Sequence, residues 1–558
     1  MRIDLTFNGK LYDDHLILYR NIHHSLRNVY TDYIEKISSV NSKNLSWWFN
    51  VTSSRHFEST FIHHYMTSLI LIEALIEKNV KFDEIIVDSF VFKKIVYKNF
   101  GNGNVTFKIK IKGSLILERL INYLKVFIFF IRELSKFVAY KFIFRKINIK
   151  SEIKLINYYI SQNSNIDEDR FFLFNNYVPK NLAKDYYHHP RLINFSLIDF
   201  FGLIRKIKKS KNKWILKEDI LKFQDYFLSL YNSLQDKNIV IPQNKNFKYD
   251  LTDLIKEEVN LNRGVKMTFN AFNSSKFVQR LAMKKINVNK FILWHENNAV
   301  EKAYLNGFNV YMKDALTLGY QGFLMANYDF SRLVTKEEKK SNLLPKVIGV
   351  ASNEQLARSK EYIDHQDFIL VPSFRYKHIY DQSYSPKNNT IFKCLILPPL
   401  LEIETVQIIH LLNKIIINLK LANISFNIRF HPSSSKKQIN YYKSLMLTKL
   451  VSISKSNTKD LIRDCDIVLS CASASVLECI ALGKKVLLYD PLLKINKNIL
   501  FDDLLTESYK EFSNINELES NLLKMYNDRN DLPHVSLDDI KKNYFSKITE
   551  SQVYSFYE

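Results

Sequence analysis

The chain has 558 residues, 46% hydrophobic and 25% charged, a balance that excludes a disordered or fibrous protein and is too long for one core. Its formal charge of +23, from 80 basic and 57 acidic residues, suits phosphorylated small molecules or an anionic membrane surface. Nucleic acid is not an expected partner, because no RNA-binding signature, zinc-finger spacing or dense arginine tract is present.

Four cysteines, Cys394, Cys465, Cys471 and Cys479, form no CxxC pair, and the last three cluster in one apolar region. That argues against a disulfide scaffold and against a zinc site. The start, "MRIDLTFNGKLYDDH", has no apolar run after its Arg and does not read as a signal peptide, so a reducing, cytoplasmic setting is expected.

From Met1 to about Ala326, short apolar strands alternate with helical stretches. The run "WWFNVTSSRHFES" ends in Ser53, Ser54, Arg55 and His56, which read equally as an acceptor-binding loop or a helix cap. "KFDEIIVDS" predicts a strand. The segment Gly113 to Lys150 differs from the rest. Leu117, Leu120, Leu124, Phe127, Ile128 and Ile131 follow a helical stripe. Glu118, Arg119, Lys125, Arg132 and Lys136 interrupt it too often for a bilayer-spanning helix. Two readings stay open: an interfacial helix with its lysines on anionic lipid, or a helical hairpin over a domain core.

"IKLINYYI" and "NKFILWHE" predict further strands that end in polar residues. The second places His295 and Glu296 at its tip, where a carboxylate suits a general base for a sugar hydroxyl. The following "NAVEKAYLNGF" reads as an amphipathic helix with Glu301 on its solvated face. "LTLGYQGF" sets Gln321 between Gly319 and Gly322, a tight turn where a side-chain amide meets a ligand. The polar stretch Leu333 to Lys346 marks the expected domain boundary, giving an acceptor-side domain at 1–332 and a nucleotide-sugar domain at 333–558.

Beyond it, "KVIGVAS", "FILVPS", "FKCLILPP", "ISFNIRFHP", "DIVLSC" and "KKVLLYD" predict strands that alternate with helices, hence right-handed βαβ units and a parallel sheet. Ligands bind outside the carboxyl ends of such strands. That rule selects Ser352, Asn353, Ser373, Arg375, the His431–Ser435 turn and the Ser470–Ser475 turn. "RFHPSSSKK" offers Arg429, His431, Pro432, which stiffens the backbone, and Ser433, a set that suits a phosphate. In "SCASASVLE", Ser475 and Glu478 match a capping box and Gly483 a helix stop, which leaves Ser470 and Ser473 unexplained. An anion is favoured at such a helix start, and Glu478 there also suits ribose hydroxyls.

The "HP" turn and the later serine turn, in the second of two Rossmann-like halves, resemble those of GT-B glycosyltransferases. They are similar to bacterial Kdo transferases and sialyltransferases, which use CMP-activated acidic sugars. "SWWFNVTSSR", "HENNAVEKA", "GYQG", "VPSFRY" and "HP" together resemble surface carbohydrate biosynthesis proteins over most of the chain.

The resemblance implies an α/β, GT-B-like fold of two Rossmann-like domains facing a central cleft. It implies a glycosyltransferase that moves an acidic sugar from a CMP-activated donor onto a surface polysaccharide or lipid-linked acceptor at the inner face of the membrane. His431, Pro432, Ser473 and Ser475 would hold the nucleotide, helped by Arg429, Ser433, Glu478 and Arg375. Glu296, His295 and Gln321 would be catalytic, and Arg55 and His56 would meet the acceptor. The donor is a co-substrate, and no cofactor or metal is expected. Two departures leave the base and the stereochemical course open. No acidic pair followed by Gly stands at a matching place, and Gly322 follows the Gln turn where the family often has His. A nucleotide-sugar epimerase, a polyol-phosphate transferase and a non-catalytic assembly factor are the alternatives.

Overall fold

The computed structural model describes residues 1–56, 60–101, 108–111, 115–143, 148–161, 164, 166–167, 171–172, 174–193, 195–235, 238–326, 329–381, 391–418, 424–431, 434–447, 451–495, 498, 500, 505–528 and 536–558. Among the described residues fifteen strands form three sheets, and every pairing is parallel. β1 (Arg2–Asp4), β2 (Glu84–Val87) and β3 (Lys108–Ile111) make a small sheet.

β4 (Glu152–Ile160), β5 (Tyr186–Leu192), β6 (Asn287–Trp294), β7 (Leu316–Gln321), β8 (Val347–Val350) and β9 (Asp367–Leu370) form the second sheet, in the order β5-β4-β6-β7-β8-β9. β10 (Phe392–Leu397), β11 (Ile424–Ile428), β12 (Val451–Ile453), β13 (Ile467–Cys471), β14 (Lys485–Tyr489) and β15 (Tyr509–Phe512) form the third, ordered β12-β11-β10-β13-β14-β15.

Central strands of the two large sheets are covered on both faces and so read as unbroken apolar runs: Phe291 to Trp294 in β6 and Ile467 to Cys471 in β13 are wholly buried. Each large sheet reverses direction once, between β4 and β6 and between β10 and β13. In an open parallel sheet these switch points are where a crevice forms at the strands' carboxyl ends. Glu296 follows β6 and the serine turn follows β13, so both predicted sites adjoin a switch point. The expected α/β class with two Rossmann-like sheets is what the chain adopts.

The strand assignment at the expected boundary is corrected. β8 pairs with β7 and β9 with β8, in the second sheet, so the change of sheet falls between β9 and β10 rather than at 332/333. The polar stretch that suggested the boundary is a crossover inside one sheet. Glu338 accepts the Thr335 N–H at 2.9 Å, closing the start of the short helix Lys336–Lys340. Its charges cap a helix and do not mark a linker.

The segment read as an interfacial helix or a hairpin is one helix, Leu115–Ile143. Val126, Phe129, Phe130, Phe137 and Tyr140 are buried on its inner face. Leu120, Leu124, Phe127, Ile128 and Ile131 from the predicted stripe point outward and are 48–60% exposed. The Leu117 side chain lies outside the described residues. No helix among the described residues is long and apolar enough to cross a membrane.

The chain ends by returning to the second sheet. Helix Glu550–Tyr557 receives a hydrogen bond from the Tyr186 hydroxyl to the Tyr557 carbonyl (2.6 Å), and the Tyr557 hydroxyl donates to the Phe172 carbonyl (2.8 Å). On the other side, Arg20 grips Asp490 through two bonds of 2.6 and 2.9 Å.

Candidate active site in the cleft

β6 delivers Glu296 because its apolar run stops at Trp294 and the helix Ala299–Tyr311 starts three residues after Glu296. The turn between them is held from below. Glu301, expected on a solvated helix face, is wholly buried. Its carboxylate accepts the Glu296 N–H (2.6 Å) and the Asn298 N–H (3.3 Å) and pairs with Arg191 at 2.5 Å. Arg191, at the end of β5, also donates to the Trp294 carbonyl (2.5 Å) and lies 3.9 Å over the Tyr159 ring. Asn297 takes a left-handed backbone (φ 59°) and donates to both oxygens of Glu338 at 3.1 Å. Glu338 also binds Lys302 at 2.7 Å.

This scaffold reassigns three predicted site residues. Arg55 is 1% exposed, donates to the Leu333 carbonyl (2.6 Å) and lies 3.6 Å from Glu338, so its guanidinium is turned inward. His295, next to Glu296 in sequence, is wholly buried, and burial lowers its pKa to about 3, which keeps the ring neutral. Gln321 ends β7 instead of forming a tight turn. It is buried, donates to the Arg332 carbonyl (3.2 Å) and accepts from Gln355 (3.0 Å). His295 was chosen at a strand end, Gln321 in a tight turn and Arg55 in a loop or cap; each is buried among partners inside the protein.

Glu296 itself is half-buried and accepts the Trp294 indole N–H at 2.9 Å. Burial works to raise its pKa, but Arg332, the indole bond, Arg191 and His56 outweigh it and hold the carboxyl below its ordinary value. His56, half-buried, lies close enough to Glu296 for its charge to act on it. Arg332 stacks 4.1 Å over Phe323 and pairs with Asp329 at 2.8 Å.

After β9 of the same sheet, Arg375 is exposed, and the phenol of Tyr376, then the carboxylates of Glu478 and Glu296, hold its pKa above the ordinary value. Arg375 thus senses both carboxylates. Glu478 lies 3.1 Å from His378 Nε2.

The serine turn differs from its expected form. Ser473, not Ser475, is the N-cap of helix Ala474–Ala481, accepting the Ser475 N–H at 3.3 Å. Glu478 faces His378, so the expected Ser475–Glu478 capping box is not formed. Ser473 and Ser475 hydroxyls meet at 2.9 Å, while Ser470 is buried and donates to the Leu397 carbonyl at 2.6 Å, tying β13 to β10. Gly483, at φ 75°, closes the helix as expected, with Lys484 N–H on the Cys479 carbonyl and Gly483 N–H on that of Ile480, both at 2.9 Å.

Arg429 follows β11 with its Nε buried and unbonded. His431 is half-buried at the same strand end, and its carbonyl accepts the Ser434 N–H at 2.9 Å. β10 separates β11 from β13, which sets the two turns roughly 10 Å apart at about 4.8 Å per strand. Pro432 and Ser433 lie outside the described residues. Among the described residues no group of three or more His, Cys, Asp or Glu is placed to hold a metal ion.

Sequence reading missed Trp294, Arg191, Arg332 and His378. Trp294 carried a signal, two residues before the chosen carboxylate. The other three reach the site from distant segments, and no local pattern marks them.

No protein-family model and no curated protein matches the chain. Among solved structures, MurG of Acinetobacter baumannii is similar at 10% identity, with 72% of this chain and 99% of that one covered and a TM-score of 0.37. The UDP-GlcNAc 2-epimerase of Neisseria meningitidis, bound to UDP-GlcNAc, is similar at 10% identity, 73% and 97% coverage and a TM-score of 0.41. The wall teichoic acid polymerase TagF is similar at 9% identity, 80% and 97% coverage and a TM-score of 0.35. Two parallel six-stranded sheets with a C-terminal helix returning to the first of them make the fold GT-B-like.

Proposed function

We propose that the chain is a glycosyltransferase that moves a sugar from a nucleotide-activated donor onto a hydroxyl of a surface-polysaccharide or lipid-linked acceptor. The observation that carries this reading is that Arg375 interacts electrostatically with both Glu296, after β6, and Glu478, in the helix after β13. An ionised carboxylate facing a cationic cleft suits the two charges of glycosyl transfer. In the direct displacement, the acceptor hydroxyl gives its proton to Glu296 while its oxygen electron pair forms the bond to the anomeric carbon. The bond from that carbon to the phosphate breaks, and its electron pair leaves with the nucleotide. Arg375 and the start of helix Ala474–Ala481 offset the charge that gathers on the phosphate. Glu478, opposite, suits ribose hydroxyls.

A CMP-activated acidic donor is the reading supported by the "HP" and serine turns. The anionic surface expected as a partner fits the exposed stripe of helix Leu115–Ile143 and the basic residues around it. Thermal shifts with CMP, UDP, GDP and CDP test the donor class: a selective rise with CMP is expected, and a selective rise with UDP or GDP sinks it. Incubation with CMP-Kdo, CMP-sialic acid, UDP-GlcNAc and CDP-glycerol, following nucleotide release, separates the transferase from the epimerase and polyol-phosphate readings.

A further inference from the structure

Beside the cleft, a cavity of about 590 Å³ opens between helix Leu115–Ile143, the end of β5 and helix Lys266–Met283. Asn298 and Val300, next to Glu296, form its inner wall. Buried polar atoms in its lining are left unbonded. Asn273 is 3% exposed with both Nδ2 and Oδ1 unbonded, and Glu218 is 1% exposed with Oε1 unbonded. A buried amide left unpaired costs stability, and such a cost is tolerated where a ligand completes the bonds.

Charge in the cavity is arranged in two parts. Deep inside, Glu133 is matched by Lys136 at 2.8 Å and by Lys217, so that carboxylate is answered within the protein. At the lip, Arg132 and Lys266 stack on the same ring, 4.9 and 5.1 Å from Phe129. Beyond this basic lip lies the exposed stripe of Phe127, Ile128 and Ile131. Exposed Phe227, on helix Phe223–Leu234, continues it, meeting Phe130 at 5.1 Å. Polar chamber, basic lip and apolar track therefore follow one another over a short distance.

We propose that this cavity binds the head of an amphiphile, a sugar joined through phosphate to an alkyl chain. The sugar hydroxyls complete Asn273 and Glu218, the phosphate sits on Arg132 and Lys266, and the chain lies along the outer face of Leu115–Ile143. Amides and a carboxyl suit hydroxyls, and paired cations suit a phosphate diester. That the amphiphile is the acceptor rests on the transferase reading; that it binds does not.

The test is titration calorimetry with glucose 1-(dodecyl phosphate), below its micelle-forming concentration, against glucose 1-phosphate and dodecyl glucoside. The amphiphile with both phosphate and chain should bind at least about tenfold more tightly than either partial probe. Asn273→Leu should lose at least about tenfold in affinity with an unchanged or raised melting temperature, since it removes an unpaired buried amide. Arg132→Glu with Lys266→Glu, at the lip, should lose as much. The nucleotide-induced thermal shift should persist in both variants. No binding by the native chain, equal binding by glucose 1-phosphate, or full binding by both variants overturns the proposal. Amphiphile binding without any nucleotide response would sink the transferase reading and leave the cavity standing.

Discussion

The two large sheets present opposite kinds of strand end to one cleft. At the second sheet, the turn after β6 is fixed by buried ions: Glu301 with Arg191, and Glu338 with Lys302 and Arg55. At the third, the turn after β13 is closed by hydroxyls, Ser473 on Ser475 and Ser470 on a carbonyl. Buried ion pairs cost desolvation and tolerate little displacement, whereas a hydroxyl cap exchanges partners at small cost. The difference teaches which side is pre-set. In the proposed transfer Glu296 meets a reacting hydroxyl within a few tenths of an ångström, which a turn held by buried ions suits. A helix end that alternates between its own serines and a phosphate must be easy to open.

The largest effect should come from Glu296 itself. Glu296→Gln is expected to lower turnover by about 10²–10⁴-fold, the usual range for a general base, with an unchanged melting temperature. Steady-state kinetics and a thermal melt check it together; near-normal turnover would remove Glu296 from the chemistry. Because Arg332 and its neighbours hold the carboxyl below its ordinary value, the acid limb of kcat/KM should lie below pH 4.5. Arg332→Gln should move that limb upward, toward neutral pH.

Glu301→Gln breaks the comparison from beneath. It leaves Arg191 buried without its counter-ion, a loss of about 3–5 kcal/mol by denaturant titration, and weakens the hold on the Glu296 N–H. Stability and turnover should fall together, unlike the Glu296 variant. A change below about 1 kcal/mol would mean that the turn holds without its ions.

What was legible follows from what local sequence encodes. The carboxyl ends of β6 and β13 could be read because apolar runs stop there at polar residues, and a parallel sheet puts ligands at such ends. β5 could not. Its "YYHHPRL" looks like a polar turn, yet it is a buried edge strand, where proline is tolerated. Its histidines meet distant groups: His188 Nδ1 the Tyr158 hydroxyl at 3.0 Å, with Nε2 left unbonded, and His189 the Tyr304 hydroxyl at 2.7 Å and the Ile215 carbonyl at 2.8 Å. Alternation of strand and helix likewise predicted β8 and β9 but not their sheet, since pairing partners are set by packing. Glu301 and Arg55 misled for the same reason: their partners lie 110 and more than 270 residues away.

An effect graded by pH is expected in the N-terminal layer. His23, His63 and His64 are buried together, with His23 and His63 rings 3.8 Å apart. His64 donates from Nε2 to the Leu5 carbonyl and accepts the Tyr19 hydroxyl at Nδ1, both at 2.7 Å, the pattern of a neutral ring. Burial, then His24, lowers the pKa of His23 to about 3, and burial first lowers the other two well below the ordinary value. The folded state therefore takes up protons later than the unfolded chain. Stability is full above pH 6.5 and falls as pH drops from there toward 3, by up to about 1.4 kcal/mol per pH unit for each histidine. Denaturant titrations between pH 7.5 and 5 should show this slope, and His23→Phe should flatten it.

The smallest effect is the sharpest test of the hydroxyl-closed side. Ser473→Ala removes an N-cap and should cost only about 1 kcal/mol of stability without nucleotide. If a phosphate takes the place of the serines at the helix end, the same variant should lose part of the nucleotide-induced thermal shift beyond that cost, because the freed N–H groups have lost a ligand-facing hydroxyl. Ser475→Ala, which leaves the cap in place, isolates that second contribution. If both variants keep the full nucleotide shift, the serine turn is a cap and nothing more, and the phosphate must be sought at Arg429 and His431, about two strands away.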